Sequence, residues 1–331
     1  MRLQKLQPSR TFVNFADQVI KDVSVICSKR IAALIFCGFA SLCLMGSTLD
    51  TNKAGDTAET YVLSRLAATD SPLEAAEETV ETTSAEPSFV TIDGTPIHRD
   101  MHERMYNGIS YVSLRALSEA MDSSAAVTAA GNQVTVKTAK LTLKATQGKK
   151  YIEANGRYLY VPGGVKNVGG ITMVPTRTVV QAFGGTMIWN SATQTVSITT
   201  GSGGITSGES YYNAEDLKWL SLIIYAESGN QPLEGKIAVG NVIMNRVASS
   251  LFPNTIKGVI LDNRGGVYQF SPAGSLLKRT PNEESIIAAK LTLEGAETVD
   301  GAYYFCTKGL RCWASRNRPY VTTIANHSFY G

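Results

Sequence analysis

The sequence predicts an α+β chain of several domains: a duplicated small α+β unit in the middle, then a mainly helical domain at the C-terminal end. Three observations predict this. Between Phe89 and Thr200 a pattern of alternating residues and turns recurs at a fixed offset of 62 residues, the signature of an internal repeat. From Leu217 to Arg246 apolar residues recur at helical spacing in two stretches split by Ser228-Gly229-Asn230-Gln231-Pro232. A Gly/Ser-rich stretch at 201–210 stands between the two regions.

Residues 1–30 form a basic leader ending in Lys29-Arg30, and 31–49 are an uncharged run. That run reads as an export signal or membrane anchor. Gly46-Ser47-Thr48 offers small residues for cleavage, while the long leader and its positive charges favour retention with the remainder outside. Cys43 follows Leu42, not the small residue that a lipoprotein signal wants. Residues 50–88 are rich in Thr, Ala and Glu and read as an acidic, self-repelling linker, with a short helix near Thr60 to Ala67. A net charge of +3, with no basic stripe carrying interleaved aromatics, gives no argument for nucleic acid as a partner.

In the repeat, 89–200, Gly108-Ile109-Ser110-Tyr111-Val112-Ser113-Leu114-Arg115 aligns with Gly170-Ile171-Thr172-Met173-Val174-Pro175-Thr176-Arg177. Val134-Thr135-Val136 aligns with Val196-Ser197-Ile198 without a gap. Each copy reads strand, helix, strand, strand, and each half would bury its apolar face against its twin. Ser113 and Thr128 depart from the Val-Pro-x-Arg and Trp-Asn features of the second copy, which reads the first as the weaker half. These residues resemble the copper-amine-oxidase N-terminal-like domain, a stalk on bacterial surface enzymes. The name imports no copper, because His98 and His102 are the only histidines here. No metal and no cofactor is expected anywhere in the chain.

Residues 201–210 read as a flexible hinge letting the two folded parts swing. Beyond it, Asn213 is a candidate N-cap, and Leu217, Leu220 and Ile224 lead along one helical face to Glu227. A second helix is expected from about Glu234 to Val247. A carboxylate leaning on an apolar surface loses hydration, which raises its pKa and suits it to donate a proton near neutral pH. Periodicity alone reads Glu227 equally well as a solvated residue at a helix end.

At these residues the chain resembles the cell-wall hydrolases of the SleB type, the spore-cortex-lytic enzymes, whose catalytic domain is related to lysozyme-like lytic transglycosylases. Five blocks carry the resemblance in order across 211–331: YAESGNQPLEGKIAVGNVIMNRV, SLFPNTIKGVI, YQFSP, GAYYF and ANHSFYG. The resemblance implies a lysozyme-like fold, peptidoglycan glycan strands as substrate, Glu227 as catalytic acid, and Ser228 as its partner in a Glu-Ser pair. A lytic transglycosylase manages with one carboxylate, which first protonates the leaving oxygen and then takes the proton of the substrate's own 6-hydroxyl. A muramidase needs two, for which Glu234 is the second candidate. Gln269, Phe270 and Ser271 would offer amide, aromatic wall and hydroxyl to the sugars. Of Tyr303 and Tyr304, adjacent on a strand, one should line the groove. Trp313 and His327 stay ambiguous.

Cys306 and Cys312 are the two cysteines of this domain and a candidate disulfide in an exported protein. Rival readings are weaker. Ser275-Leu276-Leu277-Lys278 matches S-x-x-K without companion motifs, a Cys–His327 dyad competes with the disulfide, and one histidine is too few for zinc amidase chemistry. A non-catalytic wall-binding protein is the alternative from another class. The expected setting is the outer face of the membrane or the cell wall, with accessory wall proteins as further partners.

Overall fold

The computed structural model describes residues 90–97, 100–193, 195–264 and 266–331. The leader, the apolar run 31–49, the acidic linker and His98 lie outside the described residues. No helix among the described residues is long and apolar enough to cross a membrane.

The first folded region opens with β1 (Val90–Ile92) and β2 (Thr95–Pro96). A hairpin of β3 (Arg104–Tyr106) and β4 (Ile109–Ser113) runs into helix α1 (Leu114–Met121), followed by the hairpin β5 (Ala126–Ala130) and β6 (Gln133–Lys137). Three more strands extend that sheet: β7 (Thr142–Thr146), β8 (Tyr151–Ala154) and β9 (Arg157–Tyr160). The order hairpin, helix, hairpin then returns as β10 (Lys166–Val168), β11 (Ile171–Pro175), α2 (Thr176–Ala182), β12 (Thr186–Asn190) and β13 (Thr195–Thr199). Asn107-Gly108 turns the first hairpin with both residues at positive φ, the conformation that two-residue hairpin loops require.

β4 and β11 lie side by side, antiparallel. Val112 faces Val174, Tyr111 faces Pro175 and Ser113 faces Met173, so the 62-residue offset is built into the register. Their outward-pairing hairpins diverge: β6 continues into β7–β9, giving a five-stranded sheet, whereas β13 takes β1 as a parallel neighbour. One core holds both, with Tyr111, Leu117, Leu143, Ile152 and Phe183 all but inaccessible. Ser113, the residue that breaks the second copy's pattern, gains something from the exchange. Its hydroxyl accepts from Ala116 N and caps α1, whereas Pro175 offers α2 no side-chain cap.

The C-terminal region comprises α3 (Gly208–Tyr211), α4 (Ala214–Ser228), α5 (Leu233–Ala248) and α6 (Ile256–Ile260). The short strands β14 (Asn263–Arg264) and β15 (Val267–Tyr268), a 3₁₀ turn at Ala273–Lys278 and α7 (Glu283–Leu293) follow. β16 (Tyr304–Thr307), α8 (Trp313–Asn317), β17 (Tyr320–Ile324) and β18 (His327–Tyr330) complete it, the strands ordered β16-β18-β17. Helices α4, α5 and α7 pack on one another around Leu220, Ile223, Ile237, Ile243 and Leu291. The α5–α7 approach needs Gly240, where a Cβ would strike the Thr292 hydroxyl. Asn213 caps α4 as expected, accepting from Glu215 N and Asp216 N. The second helix extends one residue further at each end than the sequence suggests, from Leu233 to Ala248.

The stretch 201–210 is tied at both ends, which its Gly/Ser content conceals. Ile205 N donates to Ala182 O, Asn155 Nδ2 donates to Ile205 O, and Gly208 N donates to Asn155 O. Gly208 is buried, and only glycine fits there, because a Cβ would lie 2.5 Å from Gly156 O. Beyond it the five-stranded sheet rests on the helical region, with Tyr151, Tyr158 and Tyr160 packed against the helical core. Arg157 donates twice to the Glu294 carboxylate, at 2.7 and 2.6 Å, and Tyr212 Oη donates to the same group at 2.8 Å.

Candidate active site

Glu227 lies in the last turn of α4, one residue before the helix ends at Ser228. It is half-buried, and burial holds its carboxyl above the usual carboxylate range, with the positive charge of Arg279 pulling the other way. Burial wins because an apolar surface penalises the charged form directly, while Arg279 is exposed and screened by water. No side-chain hydrogen bond ties Glu227 among the described residues. Its proton is therefore retained by desolvation and not by a partner, the condition for a general acid that must release it to an incoming oxygen.

Arg279 also lines an open cleft of about 370 Å³ with Leu217, Lys218, Ser221 and Leu277. Glu227 is not in that lining. The cleft runs along the N-terminal half of α4 and reaches the acid only through the field of the shared arginine.

The loop behind Glu227 is held from two sides. Lys236, on α5 and only 1% exposed, donates to Gln231 O and forms a 2.6 Å ion pair with Glu284 of α7. The Gln231 amide oxygen accepts from Asn326 N, in the turn between β17 and β18, at 3.1 Å. Three separate elements thus fix the turn on which the acid sits.

Several expectations for neighbouring residues change. Ser228 is fully buried and its hydroxyl donates to Ile224 O at 2.7 Å, so it closes its own helix and does not face a sugar. Glu234 is in the first turn of α5, as a helix-dipole partner would be, and its carboxylate is ion-paired with Lys150 of the five-stranded sheet. That engagement removes it from the role of free second carboxylate. Phe270 is 3% exposed and belongs to the core, so it forms no wall of a groove, while Gln269 and Ser271 beside it are exposed. Tyr303 and Tyr304 are both half-buried. Tyr303 precedes the strand and stacks on Phe252 at 5.9 Å, while Tyr304 meets Trp313 edge-on at 5.5 Å.

Cys306 and Cys312 are both free, so the expected disulfide is absent from this structure. Cys306 Sγ donates to Leu310 O at 3.7 Å, and Cys312 Sγ accepts from Ser315 N at 3.3 Å. The Cys306 thiol is pushed up to about 11, mainly by burial and then by its neighbour, and the Cys312 thiol is lowered by Cys306 and Ser315. His327 is buried with Nδ1 unpartnered among the described residues, and burial lowers its pKa, so no thiol–imidazole pair forms. Ser275 donates to Pro272 O within its turn and is not poised as a nucleophile. His102 pairs with Asp100 at 3.1 Å.

Two residues escaped the sequence reading. Lys236 and Arg246 both fall on the buried stripe of α5 defined by Val239, Val242 and Ile243. A cation at a core position is the available signal, since such a group must find partners. Arg246 is 4% exposed and donates from Nε to Tyr303 O at 2.8 Å. Its guanidinium lies 4.9–5.3 Å from the rings of Phe252, Phe270 and Tyr304. Burial pushes it down to about 10, still charged at neutral pH.

The fold is α+β, and two family models match successive parts of it. Residues 230–330 match the Cell Wall Hydrolase family model and 91–198 match the Copper amine oxidase N-terminal domain. Residues 230–330 thus match a cell wall hydrolase domain, and this part of the chain is similar to spore cortex-lytic enzymes. Such an enzyme of Bacillus cereus is 33% identical over 119 residues, 36% of this chain and 45% of its own length. That of Bacillus subtilis is 29% identical over the same share of this chain and 38% of its own. The chain thus spans less than half the length of these curated relatives. The solved catalytic domain of the germination-specific lytic transglycosylase SleB of Bacillus anthracis is 30% identical, with a TM-score of 0.33. The match covers 38% of this chain and 100% of that one. The family match opens at Asn230, just past Glu227, so the case for that residue rests on its own geometry.

Proposed function

We propose that this chain cuts the bond between N-acetylmuramic acid and N-acetylglucosamine in peptidoglycan strands, as a lytic transglycosylase with Glu227 as acid and then base. The observation that carries the reading is a single desolvated carboxyl with no hydrogen-bond partner, while the nearest rival, Glu234, is spent on an ion pair with Lys150. Protonated Glu227 gives its proton to the leaving glycosidic oxygen. The resulting carboxylate then accepts the proton of the muramoyl 6-hydroxyl, whose oxygen closes on the anomeric carbon to leave a 1,6-anhydro end. Electrons and protons balance without water, and the carboxyl is regenerated.

The spore-cortex wall is the favoured form of the substrate, on the names of the curated relatives. The domain 89–200 is read as a duplicated stalk, supported by the register of β4 on β11, and the C-terminal domain as lysozyme-like and mainly helical. Residues 31–49 are read as the export signal or anchor, with the enzyme outside the membrane. The test is digestion of purified sacculi by the full chain and by Glu227→Gln, with mass spectrometry of the products. Anhydro-muramoyl ends from the parent alone support the reading. Reducing muramic ends, or release by the variant at the parent's rate, defeat it.

A further inference from the structure

The C-terminal sheet presents an aromatic row that the cleavage chemistry does not use. In the order β16-β18-β17, Tyr304 pairs with Tyr330 and Tyr330 with Tyr320, and residues directly opposite across strands share a face. Phe305, Phe329 and Thr322 occupy the other face, with Phe329 fully buried in the core. The middle of the row, Tyr330, is only 8% exposed, and the face is open at its two edges. Tyr320 is 62% exposed, and Trp313 at the start of α8 extends the row past Tyr304 with 54% exposure. Large rings left in water on one side are costly unless something covers them.

The charge on the stretch of chain that carries the row is of one sign. No acidic residue follows Asp300, and Lys308, Arg311, Arg316 and Arg318 are all exposed. None of the four joins an ion pair among the described residues. Arg318 lies over both rings, 5.1 Å from the centre of Tyr304 and 5.4 Å from that of Trp313, which orients its guanidinium beside the row. A planar fork held in that way suits a carboxylate.

We infer that the face formed by Tyr304, Trp313 and Tyr320 with Arg318 is a binding strip for glycan strands that carry stem peptides. Sugar rings stack on the aromatics, and peptide carboxylates meet Arg318 and Arg316. This rests on the peptidoglycan reading above, and names which part of that polymer the domain holds apart from the cleavage point.

The test uses the full chain carrying Glu227→Gln, titrated at low and high salt with three probes: peptide-bearing glycan strands, the same strands stripped of peptide by an amidase with the lactyl carboxylates so exposed converted to amides, and an N-acetylglucosamine hexamer. Trp313→Ala combined with Tyr320→Ala should weaken binding of all three by about tenfold, the scale of one to two lost aromatic contacts. Arg316→Gln combined with Arg318→Gln should weaken only the peptide-bearing strands and flatten their salt dependence. Unchanged thermal midpoints verify that the variants fold. Binding of the aromatic variant within about twofold of its parent overturns the proposal, as does equal affinity for stripped and peptide-bearing strands. Should Glu227→Gln still cut sacculi, the cleavage assignment fails while this binding result stands separately.

Discussion

Arg157 and Glu294 join the two folded regions through a two-pronged salt bridge of 2.7 and 2.6 Å, in which the arginine side chain is 11% exposed and the glutamate 3%. Tyr212 completes the set by donating to the same carboxylate, and Arg157 lies 3.4 Å from the centre of the Tyr211 ring. The pair holds the strand β9 against the end of α7. The stretch rich in glycine and serine thus lies beside a junction that a buried ion pair spans.

Removing one partner of this pair leaves the other charge buried. Glu294→Ala should cost about 3–5 kcal/mol of stability, the usual scale for an orphaned buried ion. Thermal or denaturant unfolding of the full chain measures it. A loss below about 1 kcal/mol would place the pair with ordinary surface bridges.

Lys236 pins the turn that carries Glu227. Lys236→Met should lower turnover on sacculi about a hundredfold, since small displacements of a catalytic group have large effects on rate. Substrate binding, measured in the Glu227→Gln background, should change far less. Equal losses in binding and turnover would make Lys236 a general structural residue.

Glu234 has the opposite expectation. Glu234→Gln breaks a partly exposed bridge to Lys150, worth about 0–1 kcal/mol, and should keep glycan release within about threefold of the parent. Loss of activity comparable to that of Glu227→Gln would restore the two-carboxylate mechanism.

The raised pKa of Glu227 gives a stability prediction of definite sign. The folded state holds the proton more tightly than the unfolded chain, so this group costs stability once the pH exceeds the unfolded carboxylate range. Glu227→Gln removes that cost and should raise the unfolding temperature at neutral pH. The gain should fade as the pH falls below about 4, where the glutamate is protonated in both states. His327 acts at another pH. Its lowered pKa means the unfolded chain binds the proton better, so stability from this group is full at neutral pH. It declines as the pH drops below about 6.5, and His327→Gln should blunt that decline in a pH series of melting curves.

Much of the site was legible along the chain because its signals are local. Asn213 as cap, Glu227 at the end of an apolar face and the break at Gly229 to Pro232 depend on neighbours within one or two turns. Ser228 misled for the opposite reason. A serine beside a candidate catalytic glutamate looks available, yet in a helix its hydroxyl meets the carbonyl one turn back, and here Ile224 O takes it.

The sequence by itself determined the order of parts, the 62-residue repeat and the helix pair around Glu227, since periodicity is a property of contiguous residues. Tertiary structure alone decided which charges are occupied. Lys150 meets Glu234 across 84 positions, Arg157 meets Glu294 across 137, and Lys236 meets Glu284 across 48. Ion pairs of that separation leave no periodic trace, because what brings them together is the burial of two apolar surfaces and not the path of the chain between them.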